Sequence, residues 1–233
     1  MDKLRKKFID ALKERNTSEI IMDMDKRKEL EKIFPHIIEM KKIGKCKFHT
    51  VDSFTHSINA LKELECELNT DGFFPSHLEK LIKEDMDTEI EPGINKRALL
   101  RLSAFLHDIG KPRAMTVDEN GEAHFKGHEY IGAEMLDDVL KDFNLSMEAM
   151  KIVYTYVRYH MTLLEFYISN DLNIDLLYNT FRNLKKEIIG TMMIGYADVV
   201  STRRLIFENE DYGVLEIYMD YVLTSYYYRF KEK

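Results

Sequence analysis

The chain of 233 residues contains no tryptophan, two cysteines, four prolines and ten glycines. Two cysteines, Cys46 and Cys66, are too few for a disulfide framework, and neither belongs to a C-x-x-C pair. This scarcity fits a reducing compartment, so we expect a cytoplasmic protein. Little proline and glycine, with no long Ser/Thr/Gly tract, also argue against disordered linkers.

Long hydrophobic runs and a positive net charge are missing as well. No segment approaches the roughly 20 apolar residues of a membrane span, and the charged N-terminus lacks the apolar region of a secretory signal. The net charge of −7 argues against a protein whose main task is to hold nucleic acid by its phosphates. We therefore expect no membrane partner, while a short basic groove for RNA is not excluded.

Apolar residues recur at helical spacing almost throughout the chain. Phe54, Ile58 and Leu61 lie on one stripe and predict a helix from about residue 52 to 69. Similar stripes predict a helix over 186–205 and another over 214–230. The pattern indicates an all-α protein.

One stretch and one boundary depart from this helical pattern. Asp118-Glu119-Asn120-Gly121 is a turn signal between short extended pieces, which predicts a small β-hairpin near 115–126. The loop that follows Gly44 is where an N-terminal arm would meet the main body. We predict a helical arm over residues 1–48, packed on a domain over residues 49–233.

The apolar run Leu99–Leu106 ends in His107-Asp108-Ile109-Gly110-Lys111-Pro112. A carboxylate is unfavourable at the C-terminal end of a buried helix, because the helix dipole leaves partial negative charge there and burial adds a desolvation cost. A bound divalent cation would remove both objections. The sequence therefore predicts a metal site at His107-Asp108.

Other histidines and one further aspartate can face the same point. His56 projects off the stripe of Phe54 and Ile58, and Asp198 is a carboxylate inside an apolar helix. The candidate metal ligands, in chain order, are His56, His107, Asp108, either His124 or His128, His160 and Asp198.

Imidazoles combined with carboxylates suit Mn, Fe, Co, Ni or Zn, and they are compatible with Mg if water completes the coordination. The absence of a thiolate disfavours a closed structural zinc site, so open positions and catalysis are expected. A metal can acidify a bound water for attack on phosphorus. Lys111 could then neutralise a phosphoryl oxygen, although a lysine that complements the preceding helix dipole explains it equally well.

The order His56, His107-Asp108, Asp198 resembles the H…HD…D signature of the HD-domain metal-dependent phosphohydrolases, and His107-Asp108-Ile109-Gly110 matches their HDIG subgroup. The similarity is closer still to the HD region of bacterial poly(A) polymerase and tRNA nucleotidyltransferase proteins. The segments that carry it are Phe34-Pro35, Glu39-Met40, Phe54–Ser57, His107–Pro112, Val117–Gly121, His124–Glu129, Val157–Met161 and Ala197-Asp198.

This resemblance implies an all-helical HD-domain bundle and hydrolysis of a phosphomonoester or phosphodiester, often in nucleotides or nucleic acids, by attack of a metal-bound hydroxide. It also implies that one metal is held by His56, His107, Asp108 and Asp198. In two-metal relatives extra histidines hold a second ion; His128 and His160 match that role, with Asp108 bridging.

The resemblance does not extend to the nucleotidyltransferase head. Asp23-Met24-Asp25 lacks the glycine turn that precedes the catalytic carboxylates of that head. We therefore expect a free-standing HD domain, in which Asp108 and Lys111 are the catalytic candidates. Further contacts to a phosphorylated small molecule or nucleotide are predicted for Lys111, Arg113, His124 and Arg203.

Two other functions stay open at this point. One is a non-catalytic HD-fold module that binds RNA or a nucleotide, and the other is a nucleotide sensor or oligomeric scaffold. The number and identity of the ions, the substrate and the oligomeric state are not fixed by the sequence.

Overall fold

Helices form most of the chain in the computed structural model, which describes residues 1–43, 51–206 and 213–230. This confirms the all-α prediction. The N-terminal helices are α1 (Asp2–Ala11), α2 (Thr17–Lys26), α3 (Leu30–Ile33) and α4 (Ile37–Met40). The helices that follow up to the middle of the chain are α5 (Ser53–Asn69), α6 (Ser76–Met86), α7 (Lys96–Leu106), α8 (Lys111–Ala114) and α9 (His128–Leu140).

The last third of the described chain is also helical. It contains α10 (Met147–Tyr159), α11 (Thr162–Ser169), α12 (Ile174–Leu184), a 3₁₀ turn (Lys185–Glu187), α13 (Ile188–Ile206), α14 (Gly213–Ser225) and a π-helical turn (Tyr226–Phe230). Sequence reasoning found the long helices of this region but gave no separate helix for α11 or α12.

Two antiparallel hairpins interrupt the helices. The predicted one pairs β3 (Thr116–Val117) with β4 (Ala123–His124), in the register Thr116↔His124 and Val117↔Ala123. The other pairs β1 (Glu89–Glu91) with β2 (Ile94–Asn95) and was not predicted from the sequence.

Side-chain caps fix where the central helices begin. The side chain of Asp52 accepts a hydrogen bond from the Thr55 amide at the start of α5, and Asn95 accepts one from the Ala98 amide at the start of α7. Ser146 does the same for the Ala149 amide of α10. Each cap satisfies an amide that the first helical turn leaves without a partner. The caps thereby fix the start of three helices that bear on the metal centre.

One hydrophobic core joins the N-terminal helices to the rest. Phe8 of α1 lies 4.8 Å from Phe34 and 5.6 Å from Phe105 of α7, measured between ring centroids. All three rings are buried, and α5 packs along α13 behind them. The predicted boundary between residues 48 and 49 lies outside the described residues, so the two-part division stays a prediction.

A second buried feature is polar and centres on Lys96. Its ammonium lies 2.9 Å from Asp85 Oδ1 and 2.9 Å from Glu187 Oε2, and Tyr156 donates a hydrogen bond of 2.8 Å to the same Glu187 oxygen. Lys96 is fully buried. This network ties α6, α7 and α10 to the 3₁₀ turn.

Among the described helices, none has the length and apolar content needed to cross a membrane.

Candidate metal centre

The six histidines and aspartates most strongly expected as metal ligands lie together in the centre of the helical bundle. All are buried, and His128 and Asp198 are the most accessible, at 8% exposure each. The six side chains come from five helices: His56 lies in the first turn of α5, His107 and Asp108 follow α7, His128 begins α9, His160 follows α10, and Asp198 lies within α13.

One half of the cluster gathers around Asp198. His56 Nε2 lies 2.7 Å from Asp198 Oδ1 and 3.3 Å from His107 Nε2. His107 Nε2 lies 3.5 Å from the same Asp198 oxygen. The three ligand atoms are thus close enough to share one cation.

Asp108 connects this half to the other histidines. Its Oδ2 lies 3.6 Å from both His56 Nε2 and His107 Nε2, whereas its Oδ1 lies 3.2 Å from His128 Nε2. His128 Nε2 in turn lies 3.2 Å from His160 Nε2. Asp108 therefore has one oxygen toward each pair of imidazoles, which is the arrangement a bridging carboxylate needs.

Backbone carbonyls orient three of the imidazoles. The Nδ1 atoms of His107, His128 and His160 lie 2.8, 2.9 and 2.8 Å from the carbonyl oxygens of Ala104, Phe125 and Val157, respectively. A carbonyl only accepts, so each Nδ1 carries the hydrogen and each ring directs its Nε2 toward the cluster. This outer support is typical of metal-binding histidines.

Thr202 is a site residue that sequence reasoning missed. Its Oγ1 lies 3.3 Å from His56 Nδ1, on the side of the ring away from the cluster. Thr202 follows Asp198 by one helical turn of α13, so the two side chains share a face. The i, i+4 spacing from Asp198 was the signal that could have found it.

Burial and opposite charges set the protonation of the cluster. Burial lowers the pKa of His56, and burial together with neighbouring His107 and His128 lowers the pKa of His160 to about 3. Burial also opposes charge on His107, but the carboxylates of Asp108 and Asp198 outweigh it and raise the pKa of that ring.

The two carboxylates remain ionised despite their burial. Burial alone would raise the pKa of Asp108, but the charges of Lys111 and His107 hold it well below its usual value. The pKa of Asp198 is likewise held low against burial, by hydrogen bonds with His107 and His56. The cluster therefore presents imidazole nitrogens and anionic carboxylates to one small volume.

Lys111 adds a positive charge beside Asp108. Its Nζ lies 2.6 Å from Asp108 Oδ2, and the side chain is almost fully buried. That oxygen is buried and accepts no hydrogen bond from the described residues, so its contact with Lys111 is an ion pair. Lys111 begins α8 and lies beyond the end of α7 at Leu106.

The donor set fits a divalent cation. Lone pairs of imidazoles 3.2 and 3.3 Å apart repel one another, and two ionised carboxylates share the same buried space. A cation offsets both repulsions, and its ligand chemistry is that of borderline metals such as Mn, Fe, Co, Ni or Zn. His56, His107, Asp108 and Asp198 would hold one ion, and Asp108, His128 and His160 would hold a second.

Gly110 allows the two halves of the cluster to approach each other. A Cβ at this position would lie 2.1 Å from the carbonyl oxygen of His128 and 2.5 Å from the amide nitrogen of Gly132. Any side chain would push the turn after Asp108 away from α9. The glycine of the sequence motif is thus explained by a backbone contact that brings Asp108 to His128.

The weaker sequence candidates lie outside the cluster. His124 is exposed on β4, with its Nε2 3.0 Å from Asp118 Oδ2, so of the alternatives His124 and His128 only His128 joins the cluster. Arg113 is exposed on α8. The guanidinium carbon of Arg203 lies 5.1 Å from the ring centroid of Tyr167. Asp118, Glu122 and His124 also bring ligand atoms together, but on the exposed hairpin.

Comparison with known proteins agrees with this geometry. The family model of the HD domain matches residues 76–200, which is more than half of the chain and includes every clustered ligand except His56. The A-adding tRNA nucleotidyltransferase of Deinococcus radiodurans is 27% identical over 133 residues, which is 57% of this chain and 25% of that protein. The bifunctional uridylyltransferase/uridylyl-removing enzyme of Vibrio campbellii is 32% identical over 114 residues, 49% of this chain and 11% of that protein. The chain thus spans a quarter or less of the length of these two relatives.

Proposed function

This chain belongs to the HD domain family, and we propose that it is a metal-dependent phosphohydrolase that cleaves a phosphomonoester or phosphodiester of a nucleotide or nucleic acid. The observation that carries the proposal is the convergence of four imidazoles and two carboxylates at one buried point beside a lysine ammonium. One relative is named for uridylyl removal, the cleavage of a nucleotidyl group, and this supports hydrolysis as the reaction class.

Each residue of the cluster has a definite task in this proposal. Bound divalent cations would acidify water and offset the negative charge that gathers on the phosphoryl oxygens. Asp108 and Asp198 supply the anionic ligands, and the backbone-oriented imidazoles of His107, His128 and His160 supply nitrogen ligands. Because the side chains are preoriented, little reorganisation accompanies binding.

Lys111 is the proposed electrostatic partner of the phosphoryl group. Its ammonium is held by Asp108 at 2.6 Å, in a buried environment where charge interactions are stronger than in water. A phosphoryl oxygen beside Asp108 would therefore meet a fixed positive charge. We assign Asp108 and Lys111 as the catalytic pair, with Asp108 acting as a ligand and Lys111 stabilising charge.

A comparison of two aspartate substitutions tests the function. Protein purified without chelator is analysed for bound metal by plasma mass spectrometry and assayed on a panel of nucleotides and phosphate mono- and diesters with Mn, Mg, Co and Ni. The substitution D108N removes a buried anion and should lower metal content and activity on the order of 100-fold or more. The matched control D137N changes an exposed carboxylate of α9 and should alter neither.

The opposite results would overturn the proposal. Wild-type protein that binds no metal and is inert on every ester would exclude a phosphohydrolase, whereas full activity in D108N would exclude this cluster as the catalytic site. A salt-dependent shift of RNA in a gel without any turnover would favour the binding module instead.

A further inference from the structure

A cleft of about 440 Å³ lies between the end of α4, the start of α5 and the β3–β4 hairpin. On the helical side it is lined by Lys41, Lys42, Ile43 and Asp52, and on the hairpin side by Met115 and Phe125. Sequence reasoning assigned no role to this cleft, and none of these residues belongs to the metal cluster.

Two residues that line the cleft, Phe125 and Asp52, also contact the metal cluster or Lys111. The centroid of the Phe125 ring lies 5.8 Å from Lys111 Nζ, and the Phe125 carbonyl accepts the Nδ1 hydrogen of His128. On the other side, the Asp52 carbonyl accepts a hydrogen bond from the His56 amide. A molecule whose phosphate reaches Lys111 therefore has its next atoms beside the Phe125 ring.

The charges along the cleft keep the phosphate at the Lys111 end. Lys41 is already paired with Asp25 at 2.5 Å and Glu31 at 2.9 Å. Lys42 and Asp52 have opposite charges on the same wall, so this wall has little net attraction for an anion. An uncharged group should therefore occupy the cleft itself.

The hairpin side supplies the apolar contacts for such a group. Met115 is 42% exposed, and Phe125 is half-buried with its ring at the cleft. A thioether and an aromatic ring are both favourable against the face of a flat, conjugated group. Of the groups attached to biological phosphates, a nucleobase has this shape.

Resting on the proposed function, we propose that the cleft binds the base of a nucleoside phosphate against Met115 and Phe125, with the phosphoryl group at Lys111 and the metal cluster. The proposed function already names a nucleotide or nucleic acid, and this inference adds the place where its base binds. Met115 and Phe125 would determine specificity without taking part in the chemistry.

Binding to chelator-treated protein tests the cleft without turnover. Isothermal titration calorimetry gives dissociation constants for adenosine 5′-monophosphate and for glycerol 3-phosphate, which has no base. Stacking contacts of this kind predict that the wild type binds the nucleotide about tenfold more tightly than glycerol phosphate. M115A and F125L should lose most of this preference, while M147A, which truncates a methionine that is 91% exposed on α10, should keep it.

Equal binding of the two ligands by the wild type, or an unchanged preference in M115A, would overturn the inference. Met115 is exposed, so its truncation leaves the core intact, and the control M147A should hydrolyse glycerol phosphate at the wild-type rate. Metal-loaded wild type that prefers the nucleotide in binding but cleaves no ester would refute the proposed function and leave the cleft assignment standing. Hydrolysis of both esters with equal kcat/KM and equal affinity would refute only the cleft assignment.

Discussion

Glu67 is a buried carboxyl group outside the metal centre. It lies on α5 at 2% exposure, and neither carboxyl oxygen has a hydrogen-bond partner among the described residues. Burial and, secondarily, the charge of Glu63 raise its pKa well above the ordinary value of 4.5. The folded protein therefore holds this proton at pH values where the unfolded chain has released it.

The substitution E67Q should stabilise the protein in a pH-dependent way. In the wild type, the contribution of protonated Glu67 to the free energy of unfolding is fully present below pH 4.5. It decreases as the pH rises toward the raised pKa, because over this range Glu67 is deprotonated in the unfolded chain but not in the folded protein. Each unit of elevation corresponds to about 1.4 kcal/mol. The melting temperature of E67Q, measured by circular dichroism, should exceed that of the wild type more at pH 8 than at pH 5.

An exposed glutamate is the control for this experiment. E84Q changes a surface carboxylate of α6 and should give the same melting temperature as the wild type at both pH values. A melting-temperature difference between E67Q and wild type that does not vary with pH would contradict the account.

At the residue scale, the ligand side chains could be predicted from the sequence, but the backbone groups that orient them could not. His56, His107, Asp108, His160 and Asp198 could be proposed because their types and helical positions carry chemical meaning. The carbonyls that orient three of the imidazoles have no sequence signature. The choice between His124 and His128 also needed the structure, since both lie close to the hairpin.

At the scale of elements, the contact between the turn after Asp108 and the start of α9 is controlled by two glycines. G110A should move these elements apart, because its Cβ would lie 2.1 Å from the His128 carbonyl oxygen. We expect a loss of about 3 kcal/mol in unfolding free energy, together with loss of bound metal. Urea denaturation and metal analysis measure the two effects.

G132A is the graded control on the facing helix. Its Cβ would lie 3.2 Å from the Gly110 amide nitrogen, so the neighbours need to shift by only a few tenths of an ångström. A loss of about 1 kcal/mol with metal retained is expected. Equal losses of unfolding free energy and of bound metal in G110A and G132A would show that the close approach at Gly110 does not determine the geometry of the metal cluster.

Lys96 of α7 holds α6 and the 3₁₀ turn through charge. K96M should be strongly destabilising, because it leaves the carboxylates of Asp85 and Glu187, which are only 11% and 14% exposed, without their cation. Removal of one partner from a buried ionic network costs about 3–5 kcal/mol. Chemical denaturation of K96M measures this loss of unfolding free energy, and K62M, which changes an exposed lysine of α5, is the control. Equal denaturation midpoints for the two variants would rule out a structural role for the network.

The elements that sequence reasoning found and missed differ in length and in polarity. Long helices such as α5 and α13 repeat their apolar stripe often enough to be recognised. The eight residues of α11 give barely two repeats, and the helix ends at Ser169, just before Asn170, whose φ of 50° no apolar pattern reveals. Pro92-Gly93 forms the turn between β1 and β2, where sequence reasoning predicted no hairpin.

At the scale of the whole molecule, the cluster joins side chains from five helices at one point. Removal of the metal should therefore lower the stability of the entire fold. A cation at 100 times its dissociation constant contributes about 2.7 kcal/mol, which corresponds to a decrease of roughly 5–10 °C in the melting temperature of a chain this size. Scanning calorimetry before and after treatment with EDTA measures the shift.

Mn²⁺ added back to the chelated protein should restore the original melting temperature. D108N should show no shift on chelation, because the bridging carboxylate is absent. A melting temperature of the wild type that is insensitive to both EDTA and Mn²⁺ would contradict a structural contribution from bound metal.

The ligands of the cluster are spread widely along the chain, and His56 and Asp198 are 142 positions apart. A ribosome synthesising this protein therefore releases the first histidine long before the last aspartate. The nascent polypeptide cannot complete the coordination shell until α13 has left the exit tunnel. Under the proposed function, acquisition of the ion is thus a late event in biogenesis, and fragments terminated before Asp198 would lack the full ligand set.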